Sequence, residues 1–318
     1  MKKNLIENKE IFKINQPENQ FLFKDEKTQV ELWIKRLDEI YPNSLGNKIY
    51  KLKYNLAKAK SLDKNTLLTF GGAFSNHIAA VALAAKNENL KSIGIIRGEE
   101  LRMDLEKTLQ QNPTLREAAK NGMKFEFISR KSYREKHTSV FQEKLLQKYP
   151  RAYILPEGGT NSLAIKGSEE ILNSSDKKFD YICCPVGTGG TLSGIINSSF
   201  TNQEIIGFSA LNADLSKEIS KNVKNKNWKV IADQEFGGFA KINKELVSFI
   251  NKFADEYQII LDPIYTSKMM YGIFKKIKTG YFKENSCILA IHTGGLQGIE
   301  GMNQRLKKKN LPIIKDNI

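Results

Sequence analysis

The sequence predicts an α/β protein built on mostly parallel β-sheet. Short apolar runs alternate with segments of helical period along most of the chain, a pattern that calls for crossover helices packed on both faces of a parallel sheet. Several of these runs stop at glycines and give way at once to a helical pattern, as strand-to-helix turns do. The 318 residues suffice for a large core, and no apolar run approaches the roughly 20 residues of a membrane span.

The elements follow in order. Residues 1–28 are polar, rich in Asn and Lys and weakly periodic, so a partly ordered segment is expected there. Residues 30–35 alternate as a strand, and Leu52, Leu56 and Ala59 recur at helical spacing over 48–60. Strands are then expected at 66–70, 92–96, 124–128 and 152–155, with helices at 76–86, 103–120 and 139–148 between them. A second series reads as helix 165–171, strand 181–185, a helix opening at 192–198, strand 205–210, helices 244–257 and 269–279, and a last core strand 287–291. There are no internal repeats or low-complexity linkers.

Composition removes several function classes. Lys and Arg total 50 against 35 Asp and Glu, a net charge of +15, but the lysines are scattered. A nucleic-acid binder concentrates its charge and interleaves aromatics, so no nucleic-acid partner is expected. The densest basic segments, 130–136 and 305–309, read as solvated faces, with steering of an anionic substrate as the other reading. The histidines His77, His137 and His292 lie far apart, and Cys183, Cys184 and Cys287 lack metal-type spacing, so no metal site is expected. Cys183 and Cys184 are neighbours in one strand and should point to opposite faces as buried apolar residues. The basic first residues lack a following apolar core and cleavage site, so the cytoplasm is the expected location.

Three motifs carry chemistry. Val186 to Thr191, VGTGGT, joins a strand to a helix. Its glycines let backbone N–H groups curl around an anion at the helix N-terminus, or serve only as a tight turn. It matches neither the nucleoside-triphosphate nor the dinucleotide fingerprint. In Gly46-Asn47-Lys48-Ile49-Tyr50-Lys51-Leu52, the two lysines share one face of a helix start. A lysine buried beside another cation has a lowered pKa and can form a Schiff base; on the surface, the same pair would only be solvated. Gly71-Gly72-Ala73-Phe74-Ser75-Asn76-His77 again leads from strand to helix. Ser75 and Asn76 suit an N-cap, and the same geometry offers donors to a carboxylate.

In order and spacing these motifs resemble the fold-type-II pyridoxal-phosphate (PLP) enzymes, and within them the family of 1-aminocyclopropane-1-carboxylate (ACC) deaminase and D-cysteine desulfhydrase. The resemblance runs from about Leu32 to Gly298. It takes in Lys35-Arg36, GNKIYKL, GGAFSN, the PEGGTN turn from Pro156 to Asn161, VGTGGT, DPIYTSK from Asp262 to Lys268, and HTGG from His292 to Gly295. It implies a tryptophan-synthase-β-like fold with two parallel-sheet domains, 1–60 with 159–318 and 61–158, and PLP in the cleft between them. It also implies a small amino-acid substrate and a homodimer.

By position, the resemblance makes Lys48 the Schiff-base lysine and Lys51 a neighbour of the cofactor phosphate. Gly187, Thr188, Gly189, Gly190 and Thr191 become the phosphate cradle. Asn76 pairs with the cofactor 3′ oxygen, Ser75 with the substrate carboxylate, and Tyr265 lies beside the pyridine ring. Lys48, Ser75 and Tyr265 are thus the candidate catalytic residues, and Ser75, Asn76, His77 and Tyr265 the candidate substrate contacts. ACC deaminases carry YEGK and HLGG where this chain has Thr266 and Thr293, which is the desulfhydrase-like pattern. A hydroxyl facing the pyridine nitrogen makes the ring a weaker electron sink, which favours α,β-elimination over ring opening. Thr293 is the expected partner of that nitrogen, or else only caps its turn. Where the family carries a second catalytic tyrosine, in a YG-type segment, this chain has Phe236, which lacks the phenol, so the resemblance does not extend to a tyrosine-assisted proton transfer there. The rivals are ACC deamination on the same scaffold and a non-catalytic PLP-binding protein.

Overall fold

The computed structural model describes residues 14, 16–40, 45–211, 215–232 and 235–316. The expectation for residues 1–28 therefore falls partly outside the described residues. The chain enters through strands β1 (Asn19–Lys24) and β2 (Glu31–Arg36) and helix α1 (Lys48–Ser61). Next come β3 (Thr66–Gly72), α2 (Asn76–Asn87), β4 (Lys91–Arg97), α3 (Leu105–Gln111), α4 (Pro113–Lys120), β5 (Met123–Ile128), α5 (Arg130–Arg134), α6 (Ser139–Lys148) and β6 (Ala152–Leu155). The rest is α7 (Ser162–Ser168), β7 (Tyr181–Val186), α8 (Gly190–Ser198), β8 (Glu204–Ser209), α9 (Ser216–Ser220), β9 (Trp228–Ala232), α10 (Lys244–Tyr257), α11 (Thr266–Lys278), β10 (Cys287–His292) and α12 (Gly298–Lys308).

The strands form two sheets. One runs β1-β2-β10-β7-β8-β9 and the other β5-β4-β3-β6. Every pairing is parallel except that of β1 with β2. The α/β class expected from the sequence, with two mostly parallel sheets, is what the chain adopts. Its central strands β7 and β10 read as continuous apolar runs, as parallel strands covered on both faces do. Ile182, Cys184, Leu289 and Ile291 point into one core, and Cys183, Ile288 and Ala290 into the other. The neighbouring cysteines do lie on opposite faces. Beneath β2, Lys35 and Asp176 form an ion pair at 3.0 Å with both side chains fully buried.

Several expectations need correction. The helix expected over 103–120 is two helices. Pro113 has no N–H and its ring would clash with the carbonyl four residues back, so the chain restarts there. Asn112 ends α3, and its side chain accepts from Leu115 N to cap α4. The helix expected from 165 starts at Ser162, capped by Asn161, and ends at Ser168. Helices α8 and α11 start earlier than their apolar periodicity, because Gly, Thr and Ser fill their first turns. The edge strands β1 and β9 and helices α5, α9 and α12 were not expected. These are short or polar segments that carry little periodicity. The basic run 305–309 falls at the end of α12, where cations complement the helix dipole.

Candidate active site

The fold brings the glycine-bearing turns to one place through strand register. β2 and β10 pair from Glu31 with Cys287 to Arg36 with His292, so the chain leaves both strands at the same level of the sheet. The segment after β2 then meets the turn after β10. Asn47 N donates to Thr293 O at 3.1 Å. Gly46 sits at φ +48°, and a Cβ there would lie 2.3 Å from that same carbonyl oxygen. Only glycine tolerates both the conformation and the approach.

Around this junction lies a cavity of about 500 Å3. It is walled by Lys48 and Lys51 from α1, by Ser75, Asn76 and His77 at the start of α2, and by Gly187 to Thr191. Tyr265 before α11 and Thr293 after β10 complete it. The residues given catalytic, cofactor or substrate roles from the sequence line this one cavity, Thr266 and Phe236 apart, at the carboxyl ends of parallel strands, where α/β folds bind ligands.

Lys48 opens α1, and its Nζ donates to Asn47 Oδ1 at 2.7 Å. Asn47 is held in turn by its Nδ2, which donates to Thr191 Oγ1 at 2.8 Å. The residue is half-buried and lines the cavity. Burial lowers its pKa to about 8 against the pull of Asp262 and Cys184. One helical turn on, Lys51 is 3 % exposed and donates to Gly158 O and Thr160 Oγ1. Burial, and then the charge of Lys48, hold its pKa well below the usual lysine range.

The glycine loop faces these lysines. Thr160 and Thr188 share a hydrogen bond of 2.6 Å, which links Lys51 to the loop. Gly189 adopts φ +81° as N-cap of α8, and no side chain caps that helix, so its first N–H groups are left for a ligand. A Cβ on Gly187 would come within 3.1 Å of the Tyr265 ring, and one on Gly190 within 2.7 Å of Thr160 Oγ1. The loop is therefore glycine because the backbone itself forms the wall.

Asn76 Oδ1 is buried without a hydrogen-bond partner in the protein. The His77 ring is 2 % exposed and hydrogen-bonds Thr69 Oγ1 through Nε2 at 3.0 Å. Burial, and then the two lysines, keep it neutral, with a pKa well below the usual histidine range. Tyr265 is set by Asp262, whose carboxylate accepts from the backbone N–H of Ile264, Tyr265 and Thr266. Burial, followed by Asp262 and Glu157, pushes its phenol pKa up.

Two placements differ from expectation. Thr266 is fully buried and is not part of the cavity wall, so its hydroxyl does not face a ligand there. It occupies the first position of α11, where its N–H is fixed by Asp262. Phe236 is likewise outside the wall. It packs edge-on against Tyr271 at 4.9 Å within a separate core cluster. The aromatic of that segment that reaches the cavity is Phe239, 53 % exposed and 6.1 Å from the Tyr265 ring. Asn47 and Asp262 were also missed as functional positions. Each was visible only as a polar residue inside a quoted block.

Comparison with known proteins agrees with this geometry. The sequence profile described as "Pyridoxal-phosphate dependent enzyme" matches residues 17–294. The chain is 33% identical over 295 residues to the bifunctional D-cysteine desulfhydrase/1-aminocyclopropane-1-carboxylate deaminase, mitochondrial, of Arabidopsis thaliana, covering 85% of this chain and 73% of that one. It is 32% identical to a putative 1-aminocyclopropane-1-carboxylate deaminase of Pyrococcus horikoshii, over 84% of this chain and 85% of the relative. The crystal structure of an ACC deaminase homologue superposes with a TM-score of 0.76 at 27% identity, covering 92% of this chain and 94% of the other.

Proposed function

The chain belongs to the pyridoxal-phosphate-dependent enzyme family, and from that premise we propose that it is a D-cysteine desulfhydrase-like lyase. It would carry out α,β-elimination on a small amino acid and release a keto acid and ammonia. The observation that carries the reading is Lys48, an amine with a pKa lowered to about 8, facing an uncapped helix N-terminus across the cavity.

The residues present fit the cofactor. The N–H groups of Gly187 to Thr191 and the Lys51 amine suit its phosphate. The Asn76 side chain lines the cavity and its Nδ2 is a donor suited to the cofactor 3′ oxygen, and the Tyr265 ring suits the cofactor face. Thr293, alone of the two threonines in reach of the cavity, is the proposed partner of its ring nitrogen. When bound, PLP supplies an aldehyde that links to an amine and a ring that draws charge from Cα. Lys48 Nζ, neutral above about pH 8, takes the Cα proton, as an amine in a dry site is suited to do. Ser75 and Asn76, at the N-terminus of α2, orient the substrate carboxylate.

The ACC deaminase reading stays as the rival, since relatives carry that name. A direct assay separates them. Pyruvate release from D-cysteine, L-cysteine or a β-substituted alanine should exceed 2-oxobutyrate release from ACC, and comparable turnover of ACC would overturn the preference. Absence of keto acid from every amino acid would leave the non-catalytic PLP-binding reading. The division into 1–60 with 159–318 and 61–158 is supported by the two sheets, β3 to β6 forming one of them. Among the described residues no helix is long and apolar enough to cross a membrane. A homodimer in the cytoplasm completes the proposal, to be read by sedimentation and fractionation.

A further inference from the structure

The Lys48 cavity has a neighbour. A second cavity of about 500 Å3 adjoins it, and the two share Gly72, Ala73, Arg97 and Glu157 as a common wall. Its other walls include Arg130, Tyr133, Arg134 and Lys136, so the basic segment noted in the sequence is folded around a chamber.

The charges in this chamber do not balance. Glu157 is engaged by Lys136 at 3.3 Å and by the Tyr133 hydroxyl at 2.8 Å. Glu100 is engaged by Arg130 at 3.4 Å. Among the described residues, Arg97 and Arg134 have no carboxylate partner. Arg97 lies 5.7 Å from the centre of the Tyr133 ring, and Lys136 lies 4.7 Å from the same ring. Tyr133 is a fixed platform, 3 % exposed and packed edge-on against Phe70. Arg97 and Lys136 both approach this ring, and the carboxylate of Glu157 pairs only with Lys136, which leaves a local excess of positive charge that an anion would offset.

We propose that this chamber receives a negatively charged group on the substrate side chain. The preferred substrate is then an amino acid bearing a carboxylate, sulfonate or phosphate beyond Cβ, rather than one with a neutral side chain. This rests on the reading of the Lys48 cavity as an amino-acid site. The α-amino and α-carboxylate groups stay beside Lys48, Ser75 and Asn76. The distal anion crosses the shared wall to Arg97 and Arg134, whose guanidinium forks suit oxyanions.

The test is calorimetric binding to the PLP-loaded protein of both enantiomers of 2-amino-3-phosphonopropionate, which lacks a β-leaving group, against alanine. One enantiomer of the phosphonate should bind at least about tenfold more tightly than alanine, with an advantage that shrinks as salt rises. The advantage should vanish in R97Q/R134Q and return in part in R97K/R134K. Both arginines are exposed, so the fold is expected to survive the changes. Equal affinity for phosphonate and alanine, or a preference unchanged in R97Q/R134Q, overturns the proposal and leaves the amino-acid reading standing. Failure of both compounds to bind removes that reading, and this proposal with it.

Discussion

Two lysines in this chain live in opposite surroundings. Lys35, under β2, has a carboxylate at 3.0 Å and no exposure. Lys48, at the mouth of α1, has a neutral amide as its hydrogen-bond partner, and the carboxylate acting on it is that of Asp262, already held by three backbone N–H groups. Burial depresses both amines, but Asp176 opposes it at Lys35 through both charge and a hydrogen bond. The same residue type thus serves as a structural cation where its charge is answered, and is suited to the proposed Schiff-base role where it is not. The two also differ in exposure, Lys35 being fully buried and Lys48 partly open to the cavity.

Substitution tests this contrast most severely. Lys48→Met should lower keto-acid release by at least about 10³-fold, the scale of losing a general base. It should also abolish the pyridoxyl tag that borohydride reduction and peptide mapping place on Lys48. A tag on Lys51 would break the assignment. Lys35→Met should do the reverse, costing about 3–5 kcal/mol of stability by stranding Asp176 while the tag on Lys48 persists. Denaturant unfolding at fixed pH reads it, and K35M/D176L should recover part of the loss.

Smaller effects sharpen the picture. Lys51→Met removes the amine that donates to Gly158 O and Thr160 Oγ1 beside the glycine loop, so cofactor retention in equilibrium dialysis should weaken by about tenfold. Titration gives a signed prediction. Below about pH 8 the Lys48 amine is protonated, so PLP loading of the apo-protein should quicken by about tenfold per pH unit up to that point and then level off. Its lowered pKa also means that the unfolded chain holds this proton between about 8 and 10.5 while the folded chain does not. The apo-protein should therefore gain stability as pH rises through that window, a gain absent from Lys48→Met. The smallest effect is expected from Thr293→Val, a shift of a few-fold in the ratio of elimination to ACC turnover, about 1 kcal/mol for one hydrogen bond. An unchanged ratio in a PLP-loaded protein would show that Thr293 does not set the reaction.

The sequence made the lysine, glycine-loop and α2-start positions legible because each couples a local conformation to a chemical group. Glycines mark where backbone must approach closely, and strand–helix alternation fixes which ends carry the site. It was silent where meaning comes from packing. Phe236 and Phe239 sit three residues apart in the same glycine-rich segment, and only the folded backbone decides that one joins a core and the other the cavity. Thr266 looked like a ligand contact because it follows Tyr265, but helix geometry turns successive residues about 100° apart. The break at Pro113 is readable as a proline, but helical periodicity continues on either side of it and masks the restart.

The contact between Gly46 and the Thr293 carbonyl also bears on how the pocket closes. The lysine segment and its facing wall stand far apart in the sequence. The β3–β6 sheet is complete without β10, but the pocket has no complete perimeter until β10 lies between β2 and β7. Retention of cofactor is then a report that these two distant segments have met. A chain ended before Thr293 should carry Lys48 and the entire four-stranded sheet yet fail to retain PLP, so truncated copies would not compete for a scarce cofactor.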